Sequence, residues 1–240
     1  MKKTTLLILL CGAITAQADI TLPKAIDSKM VLQRDREVPV WGWADQGEEV
    51  TVEFAGQVKK AMPDATGKWM LKLDPMPASA ESRTMTVKGK NEIKLEDVLV
   101  GEVWLGSGQS NMAMTVARSK DPEAEQASAN FPAIRMFKEE SPRAGSPQHQ
   151  GKGKWVVCTP ATAGNFSAAL YFFGRELHPT LSVPVGLINS SVGGTPIEAW
   201  IAADAQKNSK EIQAAIAALP PAPLTADAAL NPPTAAPKTA

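Results

Sequence analysis

The chain has 240 residues, 44% of them hydrophobic and 21% charged, with 25 basic residues balanced by 25 acidic ones. That length can bury one large core or two small ones. The balanced charge carries no basic excess that would point to nucleic acid, and no like-charge run of the kind that forms a solvated tail.

Residues 1–18 have the form of a signal peptide: Lys2 and Lys3, an apolar stretch from Leu6 to Ile14, then Ala16-Gln17-Ala18 as a small-x-small cleavage site. The stretch is too short to span a bilayer. Bulky Leu10 before Cys11 argues against a lipid anchor at that cysteine. The expected protein is exported, periplasmic or extracellular after cleavage near Ala18, with no membrane span. Cleavage leaves 23 basic against 25 acidic residues and removes Cys11, so Cys158 has no internal disulfide partner. At the end of WVVC it reads as a small buried hydrophobe.

From Asp19 to residue 97 the pattern is β, and a sandwich-like accessory domain is expected there. Val38–Trp43, Val50–Phe54, Trp69–Leu73, Met85–Val87 and Ile93–Leu95 alternate with period two between turn-like stretches such as ADQGEE, AGQ and DATGK. In KWMLKL, Trp69, Leu71 and Leu73 share one face and Lys68, Met70 and Lys72 the other. Trp41, Trp43 and Trp69 are read as core rather than as a sugar platform.

From residue 98 to residue 218 the character becomes α/β. Val98–Leu105 reads as a buried parallel strand and Asn111–Ala117 as the opening of a helix. Ile134–Phe137 and Trp155–Val157 are further strands. Phe166–Leu177 is a helix with Pro179 as its stop, Val183–Asn189 another buried strand, and Ala203–Ala218 a final helix. Residues 219–240, rich in proline and alanine, have the composition of a linker.

The strand-to-helix joint GSGQSN invites three readings. As a dinucleotide loop it lacks the third glycine, because Asn111 stands there, and no GK[ST] follows for a phosphate loop. Ser110 could be a nucleophile at the end of a parallel strand, although Met112 departs from the GxSxG elbow. It could equally cap a helix. A second glycine segment, Ser190-Ser191-Val192-Gly193-Gly194-Thr195, follows another buried strand and belongs on the same sheet edge. Two such loops expose backbone amides suited to a tetrahedral oxyanion, which favours acyl chemistry.

GEVWLGSGQSNM and VPVGLINSSVGGTPIEAW resemble the sialate O-acetylesterase family of SGNH-type serine hydrolases. So do FSAALYFFGREL and the opening LPKAIDSKMVLQRDREVPVWGWADQGEEVTVEF, so the resemblance runs from about residue 20 to about residue 205. It implies an exported carbohydrate O-acetylesterase of α/β class. The N-terminal β-sandwich-like domain would precede an incomplete three-layer α/β/α SGNH-hydrolase-type domain. By position Ser110 matches the nucleophile and an oxyanion donor, and Gly193, with Gly194 as alternative, the second donor. Gln109, Asn111 and Thr195 fall to the substrate pocket. Val192 stands where the family often has a bulky aromatic, which puts pocket shape in question.

A serine nucleophile needs a base. His149 lies in a polar loop and His178 at a helix end, and neither has an acidic residue three positions earlier, as the family's late Asp-x-x-His motif requires. The family's WYQGE-like block is not found either. The resemblance therefore implies a C-terminally truncated member with an unpaired apolar sheet edge and negligible activity alone, completed by a separate C-terminal fragment. No metal or organic cofactor is expected. The expected partner is O-acetylated sialic acid or another acetylated carbohydrate. The alternative function is a non-catalytic exported carbohydrate-binding protein derived from such an esterase.

Overall fold

The structure, a computed structural model, describes residues 19–142, 144, 146 and 148–218. The expected signal segment, residues 1–18, and the proline- and alanine-rich residues 219–240 lie outside the described residues. No described helix is long and apolar enough to cross a membrane.

The first part of the chain forms β1 (Val31–Gln33), β2 (Val38–Trp43), β3 (Val50–Phe54), β4 (Gln57–Ala61), β5 (Lys68–Leu73), β6 (Ser79–Lys88) and the long β7 (Glu92–Gly108). β2 and β5 pair antiparallel, with Val40 opposite Leu71 and Gly42 opposite Trp69. β4, β3, β6 and the first part of β7 make an antiparallel sheet against them. Alternation puts Val38, Val40, Trp69, Leu71 and Leu73 of one sheet into one buried cluster with Val50, Val52, Phe54, Met85 and Val87 of the other. Trp69 is fully enclosed, whereas Trp41 and Trp43 are only half-buried.

β7 then changes partners. Its register against β6 slips where Asp97 adopts a left-handed φ of 58°, and β1 pairs parallel with Leu99–Gly101. The chain continues through α1 (Ser110–Ala113), α2 (Pro122–Ser128), β8 (Phe131–Glu139), β9 (Gly153–Cys158), α3 (Ala168–Leu181), β10 (Val185–Ser191), α4 (Ala203–Gln206) and α5 (Lys210–Ala217). β10 lies between β7 and β8, parallel to both, and β9 pairs antiparallel with β8. The fold is thus mixed α/β.

α3 covers one face of this second sheet, where Leu170 and Tyr171 pack with Ile134, Met136, Val185 and Leu187. On the opposite face Phe137 and Trp155 join the first core, and Trp155 Nε1 donates to the Ala25 carbonyl at 2.8 Å. Gly106 permits the close approach of α3, because a Cβ there would stand 2.7 Å from Leu170 side-chain atoms. Beyond Gly101 no strand lies along the outer edge of β7 among the described residues, and Trp104 and Leu105 are 43% and 67% exposed.

Several elements differ from the sequence expectation. Ile93–Leu95 and Val98–Leu105 belong to one strand, β7. The helix expected over Asn111–Ala117 is the four-residue α1 followed, after extended Met114, by a 3-10 turn at Val116–Arg118. The loop is diverted there because the Ala168 N–H donates to the Met114 carbonyl and Val116 N–H to that of Phe166. Pro179 does not stop α3, which runs on to Leu181 and ends at left-handed Ser182. Proline in the last turn removes one N–H and leaves the earlier ladder intact. The final helix divides into α4 and α5, because Ser209 Oγ accepts from the Ile212 N–H and starts a new helix.

Candidate active site

Parallel pairing places the ends of β7 and β10 side by side, with Asn189 level with Gly106, Ser190 with Ser107 and Ser191 with Gly108. The Val192 N–H donates to the Gly108 carbonyl at 3.0 Å and extends the pairing one residue past the strand. Both glycine segments therefore leave the sheet from one place. Gly108, at φ 136°, turns the chain out of β7, and Ser110 opens α1 two residues later.

Gly193 comes against Ser110. A Cβ built on Gly193 would lie 3.8 Å from both Cα and Cβ of Ser110. Among the described residues, the backbone N–H groups of Ser110, Gly193 and Gly194 have no hydrogen-bond partner, whereas that of Val192 is committed to Gly108. Ser110, Gly193 and Gly194 are all exposed, so the spot is open to solvent. Open amides of this kind can donate to a developing oxyanion.

The flanking residues divide. Gln109 is exposed, and its Oε1 accepts from Ser110 Oγ at 3.4 Å, a long bond. Asn111 is exposed on α1. Thr195 braces its own loop: its hydroxyl donates to the Val192 carbonyl at 2.8 Å and accepts from Trp200 Nε1 at 2.9 Å. Ser107 sits in the last pairs of β7.

One contributor escaped the sequence reading. Ser167, 1% exposed, donates through Oγ to the Met112 carbonyl at 2.6 Å and also accepts from the Leu170 N–H at the start of α3. It latches the loop after Ser110 onto α3. The signal was present, since a serine directly before AALYFF is a helix cap.

Neither histidine joins this group. α3 runs back antiparallel to β10, so His178 in its last turn lies at the start of that strand, with Nδ1 2.7 Å from the Val183 carbonyl. Ser110 is at the far end of the sheet, about 20 Å away by the length of a seven-residue strand. His149 packs against Trp43 with ring centroids 5.4 Å apart and lines a cleft with Ser141, Gln148 and Lys152. Among the described residues, no cluster of three or more His, Cys, Asp or Glu is arranged to hold a metal.

The class is that of the carbohydrate esterases, given by the likeness to known proteins and compatible with a mixed α/β sheet whose glycine-rich strand ends converge. Residues 100–225 match the model of the family described as carbohydrate esterase, sialic acid-specific acetylesterase, and the chain belongs to that family. It is 35% identical over 195 residues to the sialate O-acetylesterase of Rattus norvegicus and 34% identical over 195 residues to that of Homo sapiens. Each match takes in 73% of this chain, but only 36% and 37% of the relative. A carbohydrate acetylesterase from Xanthomonas citri superposes with a TM-score of 0.75 at 38% identity, over 81% of this chain and 45% of that one. The chain thus spans little more than a third of the length of the two sialate O-acetylesterases and under half of the Xanthomonas citri chain.

Proposed function

We propose that this chain carries the nucleophile portion of an exported carbohydrate O-acetylesterase acting on O-acetylated sialic acid or a similar acetylated sugar. The observation that supports this is the approach of Gly193 to Ser110 where β7 and β10 end together. Ser110 Oγ attacks the acetyl carbonyl carbon while a general base takes its proton, and the carbonyl electron pair moves onto oxygen. The N–H groups of Ser110 and Gly193, with Gly194 as alternative, hold that oxyanion. Collapse expels the sugar oxygen, which takes the proton from the base and leaves acetyl-serine. Water, activated by the same base, then releases acetate and restores Ser110. Gln109, Asn111 and Thr195 border the sugar.

Among the described residues His149 and His178 stand apart from Ser110, so in this reading neither is the base, which comes from outside the described residues. Without a base about 10³–10⁴-fold acceleration over water remains in a triad enzyme. Turnover by the 240 residues alone is accordingly negligible. The test is hydrolysis of 4-nitrophenyl acetate with and without added imidazole as a substitute base, corrected for imidazole's own reaction. The expected result is a small rate that imidazole raises and Ser110→Ala abolishes. A protein-dependent rate that survives Ser110→Ala overturns the assignment of the nucleophile. Fast Ser110-dependent turnover without imidazole overturns the external base instead.

A non-catalytic carbohydrate-binding role is the second reading, favoured by one observation: Gln109 is the one hydrogen-bond partner of Ser110 Oγ among the described residues. Saturable binding of an acetylated sugar, with no imidazole-dependent release of acetate, would select it.

A further inference from the structure

Lys138 on β8 and Lys154 on β9 are directly opposed in an antiparallel pair. Like charges so placed repel one another. Strand alternation puts both on the face of Met136 and Val156, and all four line a cavity of about 400 Å³ with Thr115, Asn165 and Phe166. One carboxylate lines the cavity beside the two ammonium groups: Glu140 Oε1 lies 3.6 Å from Lys138 Nζ, and Lys154 has no acidic partner among the described residues. The cavity therefore carries surplus positive charge in a chain whose overall charge is balanced.

From this we infer that the cavity between β8, β9 and Thr115 is a subsite for a carboxylate-bearing sugar, with Lys138 and Lys154 as its anion-binding residues. The inference rests on Ser110 marking the acetyl end of the substrate. Thr115, in the cavity wall, follows Ser110 by one short loop. β7 and β8 are separated only by β10, so two strand spacings, about 10 Å, divide the two places. An acidic sugar with its O-acetyl group and carboxylate at opposite ends fits that separation. A carboxylate accepting from both ammonium groups replaces their repulsion with two charge-assisted hydrogen bonds. A neutral acetylated sugar gains neither.

The experiment titrates N-acetylneuraminic acid and its uncharged methyl ester against the 240-residue chain by ligand-observed NMR. The acid should bind about five- to tenfold more tightly than the ester, as two half-exposed charge pairs allow, and salt should shrink the difference. Lys138→Gln with Lys154→Gln should erase the preference, while arginine at both positions should retain it. Glu140→Gln, which removes the competing carboxylate, should enlarge it. Equal affinities, binding of neither probe, or a preference that survives the double glutamine variant would overturn the subsite. If the acid preference stands but Ser110-dependent chemistry fails, the esterase reading falls and the anion site remains.

Discussion

Arg135 donates to both the backbone carbonyl and the carboxylate of Asp97, with Nη2 2.8 Å from Oδ1, tying β8 to the slipped register of β7. The guanidinium side chain is 5% exposed and that of Asp97 36%, so the two partners bear unequal risks. Asp97→Asn tolerates the left-handed backbone but leaves a buried cation without its counter-ion. It should lower unfolding stability by about 2–3 kcal/mol. Arg135→Met should cost less, because the orphaned carboxylate reaches water. Urea melts of the two variants give the order, and the reverse order would make guanidinium packing the dominant effect.

Two glycines of the site region should respond differently to an added methyl group. At Gly106 a Cβ would stand 2.7 Å from Leu170, so Gly106→Ala should destabilise by about 1–3 kcal/mol through overpacking. At Gly193 the nearest atoms are those of Ser110 at 3.8 Å, an ordinary contact. Gly193→Ala should leave the melting temperature within about 2 °C of the parent while reducing imidazole-dependent esterase activity. A large loss of stability at Gly193 would contradict this separation.

Glu125 on α2 accepts from Tyr171 Oη at 2.7 Å and from Arg175, both on α3. Burial alone would raise its pKa, but the hydrogen bonds from Arg175 and Tyr171 prevail and hold the carboxyl below its ordinary range. A depressed carboxyl stabilises fully above its unfolded pKa of about 4.3, and that contribution disappears as pH falls through the folded value. Glu125→Gln should therefore lose about 2 kcal/mol at pH 7 and show a shallower fall in stability below pH 4.5 than the parent. Parallel stability curves for the two proteins would contradict the mechanism.

Cys158 is fully buried at the end of β9, and burial pushes its thiol up to about 11. In the chain from Asp19 onward it is the one cysteine. Ellman's reagent at pH 8 should label almost none of it until urea is added, and labelling should follow the unfolding transition. Rapid labelling of the native protein would place the thiol at an accessible surface.

Where a strand has one wet and one buried face, the sequence was enough to find it. Val38–Trp43 and Val50–Phe54 are observed with those bounds. β4 was hidden because no residue of QVKKA is fully buried; its place comes from pairing with β3. α1 was overextended because contacts from α3, distant in sequence, divert the loop at Met114. At the site, the sequence showed two glycine-rich strand ends on one edge. It could not show that Gly193 stands against Ser110, since that depends on the register of β10 with β7. His178 near a strand start and His149 against Trp43 likewise follow from packing that no local spacing encodes.

The seventeen residues of β7 are common property of both cores. Val98 and Val100 belong to the first, and farther along Gly106 seats Leu170 of the second. Neither core can melt without stripping hydrogen bonds from a strand the other still uses. Heat should therefore find one cooperative folding unit rather than two, and a calorimetric trace should contain a single peak. Severing the chain between Asp97 and Val98 would cut a member shared by both halves and disable each of them.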